Sequence, residues 1–407
     1  MNILYTLYSC VRPNVGGVEQ VTFLITQYLC SHGHKVHYLY PSSLKDRKVD
    51  EDNNLSNNVH FLPNKNILSS ENLLFLNQLI EYNNIHIAIL QATCFTDYAK
   101  LFKAIVGIIP IVNNYHMYPM SMWELFLYNR GRTNSTKEKR VTNLKEVTKR
   151  MLPDLYNLRI TFKMHHTLRE VSNYATKNVL LSSRLEKLYR KRYHVKNKKS
   201  ITTIANPLTF EPLPLSKYKD KENILLYVGR FEHQTKRIDR IIKTWSFLEE
   251  TFTEWKLVLV GGNEEVIGER EEKIRMKQLV GTLKLSRVEF VSPCNPLMYY
   301  QKSKIFCMTS TKEGFGMTLV EAMSQGCVPV AFGSFPTVYD IIDDSKNGVI
   351  VKPFDLKAYA GAIAELMSDS EKLKIFGISA IEKSKSYNIN AIGQKTEYLY
   401  QTLIDEF

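Results

Sequence analysis

The sequence predicts a two-domain α/β protein of the doubly wound type, and three observations carry that expectation. Short apolar runs alternate with helical periodicity along most of the 407 residues. The alternation halts at the Pro-rich segment Pro207 to Pro214 and the charged run Lys217 to Glu222, then starts afresh. Glycines gather where strands pass into helices, at Gly16-Gly17, Gly229, Gly261-Gly262, Gly314 and Gly316. Those are the carboxyl-end positions where open α/β sheets bind ligands. The length suits two ordinary domains with separate cores, here expected at 1–208 and 209–389, with a last helix at 390–407.

Composition narrows the class. With 44% hydrophobic and 23% charged residues the chain reads as globular and soluble rather than disordered. No apolar run approaches the ~18 residues of a membrane span. The opening MNILYTLYSCVRP lacks a charged segment followed by a long apolar one, so a buried first strand is expected there and no signal peptide. Six cysteines (Cys10, Cys30, Cys94, Cys294, Cys307, Cys327) have no paired spacing, which predicts free, mostly buried thiols in a reducing cytoplasm. The net charge of +13 is concentrated: residues 130–199 hold 20 Lys and Arg against 5 Asp and Glu. That basic region suits an anionic membrane surface or anionic substrate, or else a solvated helical face. No nucleic-acid motif accompanies it, and no nucleic-acid partner is expected.

Met1 to Ser9 reads as a strand, with the turn Asn14 to Val18 leading into a helix over Glu19 to His32 that ends at Gly33. Val36 to Tyr40 forms the next strand. Asp50-Glu51-Asp52 spells a carboxylate triplet that in other settings holds a metal, but it lies in a Lys- and Asn-rich loop and reads as solvated charge. A strand at Val59 to Leu62, a helix at Glu71 to Tyr82, a strand at Ile85 to Gln91, a helix at Ala99 to Val106 and a strand at Pro110 to Asn114 follow. His116 stands just past that last strand, where functional residues concentrate. Residues 119–174 break the rhythm and read as a basic, aromatic helical insertion; His165-His166 within it lacks metal-ligand spacing. Strands at Asn178 to Ser182 and Ile201 to Ala205, with a helix at Arg184 to Tyr193 between them, close the first half.

In the second half, the strand Asn223 to Val228 runs into Gly229 and Arg230, with Lys236 six residues after the arginine and a helix at Ile238 to Phe247. Strands at Lys256 to Val260, Val288 to Val291 and Ile305 to Thr309 follow, with a short helix at Tyr299 to Ser303. Thr309 to Ala331 then reads TSTKEGFGMTLVEAMSQGCVPVA: a glycine-rich turn into a helix, with Glu313 at its mouth and Glu321 inside it. Backbone N–H groups and the helix dipole favour anionic or hydroxyl-rich ligands at such a turn. Asn347 to Val351 and a helix at Leu356 to Met367 complete the pattern before the terminal helix.

The spacing of Glu313 and Glu321 in that stretch resembles the E-x7-E signature of glycosyltransferase family 4, retaining enzymes of the GT-B fold. Gly229-Arg230 with Lys236 resembles the family's donor-phosphate clamp, Gly16-Gly17 its first-loop glycine pair, and His116 its sugar-contacting histidine. Asn206-Pro207 resembles its domain-closing "PNG" element, with Pro207 and Leu208 departing from it. The resemblance covers nearly all of the second half and thinner landmarks in the first, leaving 119–174 unmatched. It implies two Rossmann-like domains facing across a cleft, the last helix crossing back to the first. It also implies a nucleotide-sugar donor, UDP-sugar favoured over GDP-sugar, with no metal or other cofactor. Donor binding would fall to Gly16, Gly17, Gly229, Arg230, Lys236, Gly314, Phe315, Gly316, Met317, Thr318 and Glu321. Arg230 and Lys236 would stabilise the leaving diphosphate, Glu321 would hold ribose hydroxyls, and Glu313 and His116 would orient the sugar. The implied reaction moves a hexose or N-acetylhexosamine to a glycan or lipid-linked acceptor in cell-surface polysaccharide synthesis. The enzyme would be cytoplasmic or peripheral on the inner face of the plasma membrane. A nucleotide-sugar epimerase of this fold and a non-catalytic partner subunit are the rivals; a phosphorylase needs a longer chain.

Overall fold

The computed structural model describes residues 1–9, 11, 17–45, 58–91, 96–134 and 152–407. The expectations for Gly16, for Asp50-Glu51-Asp52 and for Cys10 and Cys94 fall outside them. The chain divides into two compact units, one of residues 1–126, 155–209 and 389–407, the other of 127–154 and 210–388.

The first unit is built on seven parallel strands: β1 (Asn2–Thr6), β2 (Lys35–Tyr40), β3 (Val59–Phe61), β4 (Ile87–Leu90), β5 (Ile111–Tyr115), β6 (Lys177–Leu180) and β7 (Ile201–Thr203). Their order is β3-β2-β1-β4-β5-β6-β7, so it reverses between β1 and β4. Helices cover both faces of such a sheet, which is why β1 and β4 read as near-continuous apolar runs rather than alternating ones. Leu4, Ala88, Leu90 and Ile111 pack with Leu76 and Leu79 from the helix Ser70–Tyr82 and with Phe102 from Thr96–Lys103. Ser69 caps the first of these helices by accepting from the Asn72 N–H.

The insertion is helical at Met122–Asn134 and Pro153–Tyr174. Its described residues 127–134 and 152–154 group with the second unit, whereas the sequence predicts the whole insertion in the first. The last helix, Ile389–Asp405, belongs to the first unit and lies on Gly17–Ser31. Gly393 makes that approach close, because a Cβ there would come 2.4 Å from the Tyr28 ring.

The second unit repeats the plan with β8 (Glu222–Val228), β9 (Lys256–Val260), β10 (Val288–Val291), β11 (Ser303–Met308), β12 (Val328–Phe332) and β13 (Val349–Val351), all parallel. Their order is β10-β9-β8-β11-β12-β13, reversing between β8 and β11. Trp245, Ile241 and Ile242 of the helix Ile238–Trp245 fill the core against Leu225, Leu257 and Ile305. Three helices of this unit were not foreseen, Ile267–Thr282, the short Val338–Ile341 and Ser370–Ser384. Of the described cysteines Cys307 and Cys327 are buried, whereas Cys30 and Cys294 are exposed, correcting the expectation of mostly buried thiols.

Candidate functional site

Neighbouring strands in a parallel sheet bring their carboxyl-end loops together, and the reversal between β8 and β11 opens a crevice there. The loops that leave these two strands carry Gly229 to Arg237 and Thr309 to Gly316. They are tied to each other by the backbone: Thr311 N–H donates to the Thr235 carbonyl at 2.7 Å, and the Thr309 hydroxyl donates to the Arg237 carbonyl at 2.9 Å. Arg240 reinforces the seam from below, donating to the Thr309 carbonyl at 3.1 Å while stacking on Phe354 at 4.0 Å.

Across this seam Lys236 Nζ meets Glu313 Oε1 at 2.7 Å, both side chains mostly buried. The Ser310 hydroxyl donates to the same oxygen at 2.6 Å. Two residues 77 positions apart, singled out separately, are thus one ion pair. Arg230 is different: its guanidinium is 65% exposed and only loosely near Glu232, at 3.9 Å. A partly exposed cation beside a strand's carboxyl end is available to an anionic ligand.

Glycine is required at the turn that carries Arg230. Gly229 has φ +156°, and a Cβ on Gly261, at φ +139°, would stand 1.9 Å from the Gly229 carbonyl oxygen. The β8 and β9 loops therefore touch backbone to backbone. The Tyr227 hydroxyl fixes the next residue by donating to the Arg230 carbonyl at 2.9 Å.

Gly316, at φ +104°, starts the eight-residue helix Met317–Ser324. Phe315 is buried edge-on against Tyr387, so its ring belongs to the core and only its backbone faces the turn. Met317 and Thr318 are half-buried at the helix entrance. Glu321 is 9% exposed and accepts the Tyr300 hydroxyl at 3.0 Å. Tyr300 has no solvent exposure, and burial followed by the neighbouring carboxylate pushes its hydroxyl far above the usual range, so it stays a donor. Its short helix, Leu297–Lys302, is in turn closed by buried Lys221, whose ammonium donates to the carbonyls of Tyr300 (2.9 Å), Gln301 (3.1 Å) and Ser303 (2.7 Å). Spacing did not reveal Tyr300, Lys221 or Ser310. A lysine at the start of an apolar strand was the one signal for Lys221, and it reads as linker charge.

Gly17 and His116 belong to the first unit. Gly17 is exposed at the first turn of its helix. His116, past the end of β5, donates from Nε2 to the Gln91 amide oxygen at 2.5 Å, and also bonds the Asn206 side chain. Burial brings its pKa down to about 4 against the lesser pull of Asn206, so the imidazole is neutral at neutral pH. It lines a small cavity with Val21 and Ile25 of the Gly17–Ser31 helix. Gln91, a polar residue ending a buried strand, was the legible sign of this arrangement. Among the described residues no group of three or more His, Cys, Asp or Glu is placed to hold a metal ion.

Residues 215–383, most of the second unit, match the family model described as glycosyl transferases group 1. An uncharacterised glycosyltransferase of Haemophilus influenzae is 29% identical over 219 residues, 53% of this chain and 58% of that protein. The amylovoran biosynthesis glycosyltransferase AmsD of Erwinia amylovora is 30% identical over 176 residues, 43% and 47% of the two chains. A Campylobacter jejuni α-1,4-N-acetyl-D-galactosaminyltransferase, named for a diphosphoundecaprenol-linked acceptor, is 24% identical over 51% of this chain and 56% of its own. The chain thus spans about half the length of the curated relatives it matches. Among solved structures, sucrose-phosphate synthase from Thermosynechococcus elongatus superposes with TM-score 0.71 at 17% identity, covering 100% of both chains. Anabaena HepE in complex with UDP-glucose superposes with TM-score 0.67 at 15% identity, covering 99% and 100%. The fold is GT-B, with two Rossmann-like units, and the likenesses support the GT-B glycosyltransferase superfamily.

Proposed function

We propose that this chain is a retaining, metal-independent glycosyltransferase of family 4. In this reading it moves a hexose or N-acetylhexosamine from a nucleotide sugar to a glycan or lipid-linked acceptor in cell-surface polysaccharide synthesis. The observation that carries the reading is the 2.7 Å pairing of Lys236 with Glu313. It joins the β8 and β11 loops into one site where the strand order reverses, with a cation and a carboxylate side by side at a helix entrance. UDP-sugar is the favoured donor, a preference supported by the UDP-glucose complex of Anabaena HepE. The acceptor class draws support from the polysaccharide and diphosphoundecaprenol names of the relatives.

Each residue has a task in this scheme. Arg230 and Lys236 neutralise the diphosphate as it leaves, in place of a metal ion. The N–H groups of Gly316 to Thr318 at the start of the Met317–Ser324 helix add partial positive charge. Glu321, held by Tyr300, accepts the ribose hydroxyls. Glu313 accepts from the transferred sugar, and neutral His116 orients it without adding charge. In this scheme departure and attack share one face of the sugar, and among the described residues no carboxylate is assigned the part of an inverting base.

The test is product analysis. The full chain is incubated with UDP- and GDP-sugars in the presence of a chelator, with and without a bacterial lipid-linked glycan extract. Expected is acceptor-dependent transfer with the donor's anomeric configuration retained. A nucleotide sugar altered without acceptor would instead mean an epimerase. Inertness toward every donor, in both transfer and binding, would mean a non-catalytic subunit.

A further inference from the structure

The helix Ile267–Thr282 turns one continuous face toward the core of the second unit, and that face changes character along its length. Helical neighbours at i, i+3, i+4 and i+7 share a face. Met276 is buried on it, and Leu279 and Val280 pack partly buried against the core, as an ordinary sheet-covering helix requires. One to two turns earlier the same face carries Glu269, half-buried, with Glu272 and Lys273, exposed at only 3% and 5%. Ile274 lies off it, exposed to solvent. Charges buried where leucines would serve are costly unless they are partnered, so their partners show what this half of the face holds.

Each of the three reaches a loop at the carboxyl end of the sheet. Glu269 Oε2 accepts from the Asn263 N–H of the β9 loop at 3.0 Å and from the Phe231 N–H of the β8 loop at 3.4 Å. Glu272 lies 3.4 Å from His233, two residues farther along the β8 loop, and pairs with Arg275 on its own helix at 2.5 Å. Lys273 donates to Glu264 of the β9 loop at 2.8 Å and to the Ser292 hydroxyl, just past β10, at 3.5 Å. The first turns of this helix therefore hold loops in place, and the later turns cover the sheet.

We infer that Glu269 is a positioning residue for sugar transfer: it fixes the peptide that follows Arg230, and so the direction in which the guanidinium meets the leaving diphosphate. The inference rests on the function proposed above, in which Arg230 neutralises that group. The guanidinium is 65% exposed and only loosely near Glu232, at 3.9 Å, so its aim is set by the backbone that carries it. The peptide group joining Arg230 to Phe231 is held at both polar atoms. Its carbonyl accepts from the Tyr227 hydroxyl at 2.9 Å, and its N–H is the one that Glu269 accepts. The same carboxylate oxygen takes the Asn263 N–H, which ties the turn to the β9 loop where Gly229 and Gly261 already approach backbone to backbone. Glu269 acts through Arg230 and touches no substrate in this scheme. A displacement of about 1 Å at a charge-neutralising group is enough to cost up to roughly a hundredfold in rate.

Glu269→Leu keeps the side-chain volume without an acceptor, and Glu269→Gln keeps an acceptor oxygen; Glu269→Ala repeats the first comparison without added apolar surface. Steady-state transfer and amide exchange of the full chain are compared for these variants, for Arg230→Ala and for the double variant E269L/R230A. For E269L, kcat should fall by about tenfold or more, a larger change than the rise in donor KM. The Phe231 amide should exchange about tenfold faster while β8 and the Ile267–Thr282 helix stay protected. E269Q should stay within about threefold of wild type in both readouts. Once Arg230 is alanine, E269L should cost nothing further, because both substitutions remove one interaction. Wild-type kcat in E269L and E269A, unchanged exchange at Phe231, or fully additive losses in the double variant would overturn the inference. A wild-type chain inert toward every nucleotide sugar would overturn the proposed function, and the catalytic part of this inference with it, whereas the exchange comparison would still decide whether Glu269 holds the turn.

Discussion

Tyr300 has no contact with solvent, yet its hydroxyl ends 3.0 Å from Glu321, the carboxylate assigned to the ribose. A hydrogen bond to a charged group contributes about 1.5–3 kcal/mol. Tyr300→Phe keeps the ring and removes only that bond, so donor affinity should fall by roughly tenfold, with turnover at saturating donor little changed. Titration of the nucleotide beside a thermal melt separates this from a packing effect. Lost stability with unchanged affinity would assign Tyr300 to the core alone. Arg230, Lys236, Glu313 and Glu321 are legible from spacing because each follows a strand at a fixed offset. Tyr300 is not legible, because a tyrosine beside Leu297 and Met298 reads as core until the fold places its hydroxyl. The pairing of Lys236 with Glu313 was equally hidden, since sequence gives each loop its residues but not which loops are neighbours.

Elements show the same division between what pattern reveals and what packing decides. The strands emerged from apolar runs, and their parallel order follows from the helices between them. The helix Ile267–Thr282 escaped because its buried residues include Glu272 and Lys273, so no apolar stripe marks it. The helix Ser370–Ser384 was passed over although Leu373, Phe376, Ala380 and Ile381 carry helical spacing. The loops that touch are harder to foresee. Gly261→Ala would drive a Cβ to 1.9 Å from the Gly229 carbonyl, and the β8 loop would have to move. We expect a loss of about 1–3 kcal/mol in stability together with weaker donor binding, read by denaturant melts and titration.

At the edge of the first sheet His37 on β2 and His60 on β3 stack, with Nδ1 and Nε2 3.1 Å apart. Burial, then the charges of His60 and Lys35, lowers His37 from 6.5 to about 4. The unfolded chain takes up that proton near 6.5 and the folded one only near 4. The unfolded state therefore binds more protons in this window, and stability falls as pH drops through it. The loss should be on the order of 1–3 kcal/mol. Thermal melts from pH 7.5 to 4.5 should show it, and His37→Gln should flatten part of the slope. An identical slope in the variant would contradict this account.

At the scale of the whole molecule the chain returns to its first unit after completing its second. The Ile389–Asp405 helix is bound there by Tyr400 to Tyr5 at 3.1 Å, Glu397 to His34 at 2.7 Å, and the close packing of Gly393 on Tyr28. Ending the chain at Asn388 should uncover Tyr5 and Tyr28 and destabilise the first unit selectively. Amide exchange should quicken in β1, β2 and the Gly17–Ser31 helix while β8, β11 and β12 stay protected. Uniform protection in both units would contradict it. A last amphipathic segment is visible in sequence. That it belongs to the first unit came there only through family resemblance, because periodicity says which face is apolar and not what covers it.

The central claim is that the β8–β11 site binds a nucleotide diphosphate sugar through protein cations and no metal. Calorimetric titration of UDP, GDP and their sugars into the full chain with excess chelator tests it most directly, beside Arg230→Ala. One nucleotide series should bind saturably, and the variant should lose about 2–4 kcal/mol of transition-state stabilisation in transfer, with binding of the diphosphate weakened as well. Binding that appears only when a divalent ion is restored, or equal affinity and transfer in the variant, would contradict the claim.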